Sequence, residues 1–186
     1  MKNVLLAFVM LLVTVVTVAA QGKFYSKTAM VSFNASTPLE DIDAQTNTGT
    51  IVLDTETGKL ESSVLVKAFQ FKRALMQEHF NENYMESSKY PKAVFKGEIT
   101  NLSEVNFKKD GDYKVKVKGT MEMHGVKKEI MTNGILNVAG KNLKVNADFI
   151  VACADYEIKI PSVVADKVAK EVKVTVNTAL QALAGK

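Results

Sequence analysis

Period-two alternation of apolar and polar residues constrains the fold of this chain more than any other feature. Between residues 112 and 123 every second side chain is apolar, apart from Gly119, and those between them carry charges or hydroxyls. Residues 142–151 and 172–180 repeat the pattern. Because successive side chains of a strand point to opposite faces, each segment is predicted to be a strand with one apolar and one solvated face.

Weaker alternation predicts five further strands, which brings the expected number to eight. These five lie at residues 24–33, 41–54, 59–69, 91–101 and 126–138. Short turns rich in glycine and aspartate separate several neighbours, which predicts antiparallel hairpins. Such strands must close into a barrel or stack into a sandwich to hide their apolar faces, and the pattern alone leaves both open. The 186 residues contain no internal repeat or linker, which indicates one domain.

One segment breaks the alternation and has helical periodicity instead. No β-branched residue occurs from residue 69 to residue 90, and two apolar rows recur at four-residue spacing. The rows are Phe71 with Leu75, and Met76 with Phe80 and Tyr84. We therefore predict a short helical insert over about residues 70–87, divided into two helices near Asn81 and Asn83. In an all-β chain such an insert is suited to capping the open end of a barrel.

The N-terminus has the three parts of a secretory signal peptide. A positive charge at Lys2 precedes an apolar run over residues 4–18, and small residues follow at Ala19 and Ala20. This pattern predicts cleavage after residue 20, so that residues 1–20 are a leader and residues 21–186 form the domain. An uncleaved membrane anchor is the alternative, because the run approaches the length of a membrane span.

Few residues offer catalytic or metal-binding chemistry. The chain has two histidines, His79 and His124, and a single cysteine, Cys153. Because Cys153 lies between two alanines, we expect it to be a buried thiol that packs as a small apolar side chain. His79 with Glu78 or Glu82 supplies at most two ligands on one helix face, and His124 lies in a predicted turn. We therefore predict no catalytic residue, no metal site and no cofactor. An enzyme that uses His79 with a neighbouring glutamate is the least favoured alternative.

Soft apolar side chains are plentiful in the insert and in the central strands. If the strands close, these side chains can line an adaptable apolar cavity, whereas plain core packing is the alternative. The predicted ligand-lining residues are Phe69, Phe71, Leu75, Met76, Phe80, Tyr84, Phe95, Met121, Met123 and Phe149. His79 is the polar candidate near this site.

Two motifs resemble those of the YceI-like polyisoprenoid-binding proteins. Residues 69–95 read FQFKRALMQEHFNENYMESSKYPKAVF, in which a strand leads into a short helix with a histidine and then into a Tyr-Pro-x-Ala-x-Phe-like strand start. Residues 119–126 read GTMEMHGV, which is similar to the family's Gly-x-Leu-x-x-His-Gly-Val hairpin. The likeness extends over residues 24–183. Differences in residues 25–40 and in the insert indicate a divergent branch.

The resemblance implies a fold, a function and a location. The fold is an all-β, eight-stranded antiparallel lipocalin-like barrel with a short helical insert. The function is non-enzymatic binding, transport or sequestration of an isoprenoid lipid, of polyprenyl or quinone type, in the periplasm. A structural or interaction β-sandwich without a ligand is the alternative from a different class.

Charge and the predicted leader bear on the partners. The net charge of +4 comes from interspersed acids and bases, so no nucleic-acid partner is expected. No stable membrane anchor is expected after cleavage of the leader. A homodimer is an option that the sequence leaves open.

Overall fold

Nine strands and one short α-helix make up residues 22–183, which are the residues that the computed structural model describes. The strands are β1 (Lys23–Asn34), β2 (Asp43–Asp54), β3 (Lys59–Leu65), β4 (Gln70–Phe71), β5 (Lys92–Ile99), β6 (Gly111–Met123), β7 (Val126–Ala139), β8 (Asn142–Ala152) and β9 (Glu171–Ala182). The helix α1 spans Ala74–His79. The predicted leader, residues 1–20, lies outside the described residues.

The eight long strands close into one antiparallel barrel. Their order is β1-β9-β8-β7-β6-β5-β3-β2, and β2 pairs back with β1. The two-residue strand β4 adds to the start of β2 at the rim. The predicted eight-stranded barrel is therefore confirmed, and the sandwich alternative is wrong, because the eight strands form one closed sheet rather than two stacked sheets.

The predicted alternation matches the faces of the barrel wall. On β6, Val115 and Val117 are buried, whereas Lys114, Lys116 and Lys118 are exposed. The β6–β7 hairpin closes through a two-residue turn at positions 124 and 125, where both φ angles are positive (52° and 78°). Positive φ at both central residues is typical of the type I′ turn, whose twist matches that of the strands.

The two ends of the barrel differ in how they are closed. The start of β1, the end of β9, the turns 55–58 and 140–141 and the loop 100–110 lie at one end, which we call the packed end. A buried apolar cluster fills it, including Leu53, Leu136, Val138, Leu143 and Leu180. The connections 35–42, 66–91 and 153–170 lie at the other end, which we call the lid end.

The predicted strand over residues 59–69 is shorter than expected. It ends at Leu65, because Val66 turns into the barrel, where it is 2% exposed. The backbone N–H of Val66 donates to the carbonyl of Pro91 at 3.0 Å, which fixes the start of the insert against its end. The chain then crosses the lid end through β4.

The helical insert is confirmed but is shorter than predicted, since residues 70–71 form β4 and the helical residues are 74–84, and its division near Asn81 and Asn83 is wrong. Helix α1 continues into a π-helical turn over Phe80–Tyr84 instead of breaking. The Asn81 side chain stabilises this turn, since its Nδ2 donates to the carbonyl of Gln77 at 2.8 Å and its Oδ1 accepts from Ser87 Oγ at 2.8 Å. None of the helical segments within residues 22–183 has the length and apolar character that crossing a membrane requires.

Candidate functional site

An apolar cavity of about 520 Å³ lies inside the barrel, between the packed end and the lid end. All eight long strands contribute side chains to its wall, and β4, α1 and the π-helical turn contribute its cover. The volume falls within the roughly 300–1,000 Å³ that is usual for small-molecule sites. The barrel is therefore not filled by its own side chains along its whole length.

Small inward-facing residues leave the space for this cavity. Ala29, Gly49, Ala93, Gly134 and Ala147 all line it. Gly134 and Ala147 are direct partners in the β7–β8 ladder, so that a strip of wall carries almost no side-chain volume. These positions are absent from the predicted site, although the sequence shows them as small residues on the inward side of the predicted strands.

A pair of glycines shapes the wall beside Phe95. Gly97 on β5 and Gly119 on β6 are ladder partners. A Cβ atom built on either would lie 2.6 Å or 2.7 Å from Phe95 Cζ, which is too close for any real side chain. The tip of the Phe95 ring therefore occupies the space that a side chain at either glycine would need.

Four phenylalanines form the lid cluster, which we define as Phe33, Phe69, Phe71 and Phe80. The Phe80 ring stacks on Phe33 with centroids 5.3 Å apart and meets Phe71 at 5.1 Å and Phe69 at 5.8 Å. Phe33 also contacts Phe69 at 5.2 Å. Phe33 is absent from the predicted site because it lies at the end of β1, far along the chain from the insert.

Every residue that the sequence analysis selected for the site faces this one cavity. The set is Phe69, Phe71, Leu75, Met76, Phe80, Tyr84, Phe95, Met121, Met123, Phe149 and His79. Leu75 is 62% exposed and lies at the mouth, whereas Phe69 and Phe95 are buried. Among the lining residues that the analysis did not select are Ile130, Val145 and Val174 on β7, β8 and β9.

The few polar groups around the cavity are poorly suited to catalysis. Burial raises the pKa of the Cys153 thiol and, together with the nearby thiol, that of the Tyr84 hydroxyl, so both are neutral near pH 7. His79 Nδ1 lies 3.0 Å from Asn83 Oδ1 and is thus paired with an amide rather than with a neighbouring glutamate. Within residues 22–183 no three histidine, cysteine or acidic side chains are grouped to hold a metal ion.

His124 lies outside the cavity and joins three connections at the lid end. Its Nδ1 donates to the carbonyl of Tyr156 at 2.8 Å, and its Nε2 lies 3.0 Å from Glu86 Oε2. The Tyr90 ring packs edge-on against the imidazole at 4.8 Å. His124 therefore links the β6–β7 turn to the insert and to the segment after β8, which is more than the turn role that its sequence context predicts.

Comparison with known proteins identifies the family. The model of the YceI-like domain matches residues 14–180. The chain belongs to the YceI-like family. The barrel and the short helical insert described above are therefore those of a YceI-like domain. A sequence search of curated proteins gave no match.

Solved structures share the YceI-like fold at low sequence identity. A polyisoprenoid binding domain from Saccharophagus degradans, implicated in plant cell wall breakdown, has a TM-score of 0.75 and 14% identity, over 87% of this chain and 99% of that one. BcnA from Burkholderia cenocepacia has a TM-score of 0.67 and 13% identity, over 81% and 95%. The YCEI protein of Campylobacter jejuni has 0.56 and 14%, over 74% and 80%.

Proposed function

We propose that this YceI-like protein binds one isoprenoid lipid, of polyprenyl or quinone type, inside its barrel and carries or sequesters it without chemical change. The observation that carries the proposal is the apolar cavity of about 520 Å³, which is closed by a packed cluster at one end and covered by the lid cluster at the other. That one structural relative is described as a polyisoprenoid binding domain supports the same ligand class.

The energetics favour a long apolar chain over a polar ligand. Each buried methylene contributes about 0.8 kcal/mol, so affinity rises with the length of chain that the cavity accommodates. Buried polar groups without partners are costly. The barrel wall offers the ligand hydroxyls such as those of Ser62, Ser63 and Thr132, whereas the charged side chains that line the cavity, Glu40, Arg73 and Lys167, belong to the connections at the lid end. Selectivity should therefore depend on chain length more than on the head group.

We further propose that residues 1–20 are removed on export and that residues 21–186 act in the periplasm. The charged start, the apolar run and the small residues at the expected cleavage site support this location. Intact-mass measurement on protein from the periplasmic fraction tests it. A mass that corresponds to a chain starting at Gln21 is expected, and a full-length chain found in the membrane fraction would contradict it.

A titration with ligands of graded length tests the binding function. Delipidated protein is titrated with isoprenoid quinones of increasing chain length and with the head group alone. Affinity should rise with chain length across the series, and the head group alone should bind poorly. Equal affinity across the series, or binding of the head group alone, would contradict recognition of the chain.

A further inference from the structure

The wall of the barrel has a seam between β7 and β8. The β7–β8 ladder starts at Ala139–Asn142 and stops at Gly134–Ala147, although both strands continue toward the lid end. Within the described part of the chain, residues 126–133 pair with β6 and residues 148–152 pair with β9, but the two segments form no ladder with each other. We use the name seam for this unpaired stretch.

Side chains, rather than a backbone ladder, span the seam. Thr132 Oγ1 donates to the carbonyl of Asp148 at 3.3 Å. Nearer the lid end, Lys128 Nζ lies 3.7 Å from Asp155 Oδ1, in the turn that follows β8. The ion pair is exposed, and exposed ion pairs contribute little to stability, so the Thr132 hydrogen bond is the main polar contact across the seam. Separating the strands here therefore requires no loss of the ladder hydrogen bonds that hold the rest of the wall.

The seam is apolar on both sides of the wall. On the inside, Ile130 on β7 and Phe149 and Val151 on β8 line the cavity. On the outside, the neighbouring positions Met131 and Ile150 are 78% and 59% exposed. Isolated large apolar side chains are common on protein surfaces, but these two lie on opposite sides of the same seam. Apolar side chains thus flank the seam on both the inner and the outer face of the wall.

We infer that the seam is the subsite where the tail of a long isoprenoid chain crosses the barrel wall and lies against Met131 and Ile150. This inference rests on the proposed function, because it concerns the part of the same ligand that the cavity cannot hold. The packed end is filled by buried side chains, and the lid end is covered by four phenylalanine rings. The seam offers the tail a route through the side wall, because opening it disrupts no aromatic cluster and no backbone ladder.

Two substitutions that place charges at the exposed positions beside the seam test the inference. In the double variant Met131→Lys with Ile150→Lys, the tail loses its outer apolar contacts, while the cavity keeps its lining. Affinity for a quinone with eight isoprene units should fall about ten- to a hundredfold. Affinity for a quinone with one unit should stay within twofold of that of the wild type.

A matched control separates the seam from a general effect of surface charge. Val52 is an outward, 44% exposed position on β2, where ladders to β1 and β3 are continuous, so Val52→Lys should alter neither affinity. If the double variant binds the long quinone as tightly as the control does, the seam subsite is wrong. If the wild type binds neither quinone, the proposed function itself fails, which is a different outcome.

Cross-linking of the wild-type protein gives a second readout that does not depend on folding of the variants. A long isoprenoid probe with a photoreactive group at the end of its chain is bound, irradiated and mapped by peptide mass spectrometry. The inference predicts labelling of the outward-facing residues Met131 and Ile150, whereas labelling confined to inward-facing neighbours such as Ile130 and Phe149 would place the tail inside the cavity and contradict it. Labelling confined to the insert, residues 66–91, would place the tail at the lid end and overturn the inference.

Discussion

Truncation of Phe80 to alanine distinguishes between two roles of the lid cluster, as a cover over a bound ligand or as ordinary core packing. Phe80 is partly buried and makes three of the ring contacts in the lid cluster, with Phe33, Phe69 and Phe71. Aromatic pairs contribute about 0.5–1.5 kcal/mol each beyond the area they bury, and a fully buried phenylalanine costs about 3–5 kcal/mol when it is truncated. Because Phe80 is only half-buried, we expect a loss of about 2–3 kcal/mol in the empty protein.

The same substitution should affect ligand binding strongly. The Phe80 ring faces the cavity, so its removal takes away apolar contact and opens the cover to water. Affinity for an isoprenoid quinone should fall about ten- to a hundredfold. Denaturant unfolding of delipidated protein gives the first quantity and lipid titration gives the second. The expected stability loss corresponds to a melting temperature lower by about 4–12 °C.

A core variant of comparable cost is the matched control. Leu136 is almost fully buried at the packed end, away from the cavity, and Leu136→Ala should cost about 2–5 kcal/mol. Its lipid affinity should nevertheless equal that of the wild type under conditions where both are folded. If Phe80→Ala loses stability but keeps its lipid affinity, as the Leu136 variant does, the role of the lid cluster as a cover is refuted.

Three further predictions concern substitutions in the barrel wall and at the turn 55–58. Val117→Asp buries an unpaired charge and should lower the free energy of unfolding by several kcal/mol. Lys116→Asp, on the solvated face, should change it by no more than about 0.5 kcal/mol. Equal melting temperatures of the two variants would contradict the assignment of inward and outward faces on β6. Ala147→Leu should fill part of the cavity, so a lipid titration should show weaker binding, most of all for long chains. The far-UV circular dichroism spectrum should stay unchanged. Unchanged lipid affinity would contradict the placement of the ligand in the cavity. Hydrogen bonds from the backbone N–H groups of Thr57 and Glu56 lower the pKa of the Asp54 carboxyl in the folded protein. The ionised carboxylate therefore stabilises the fold above the ordinary carboxyl pKa of about 4. This stabilisation is lost as the pH falls through the lower pKa of the folded state. In denaturant melts at several pH values, Asp54→Asn should therefore be less stable than the wild type near pH 7 and match it near pH 2, and a constant difference would contradict this assignment.

Much of the fold is predictable because its determinants are local. The alternation in β6, β8 and β9 places each strand within a few residues of its observed bounds, and the absence of β-branched residues marks the insert. Closure of the barrel is a different matter. It depends on the pairing of β1 with β9, which brings together residues about 150 positions apart, and no local pattern reports such a contact. The resemblance to a known family supplied that step.

The residues of the site were predictable in part for the same reason. The side chains selected from the insert and from strand faces all reach the cavity, since periodicity determines which way they point. Phe33 was missed because its partners, Phe69 and Phe80, are distant in sequence. The π-helical turn was missed because it depends on the two hydrogen bonds of the Asn81 side chain, which in sequence reads as a helix breaker. The seam depends on where a ladder stops, which is set by the packing of the whole barrel.

The identity of the lipid that accompanies the native protein tests the central claim most directly. The full chain is produced in a bacterial host, purified without detergent from the compartment where it accumulates, and measured by native mass spectrometry. The organic extract is then analysed for lipids. We expect one isoprenoid lipid bound to each barrel, of polyprenyl or quinone type. A protein that is empty as purified, and that also fails to bind any isoprenoid in titration, would contradict the account.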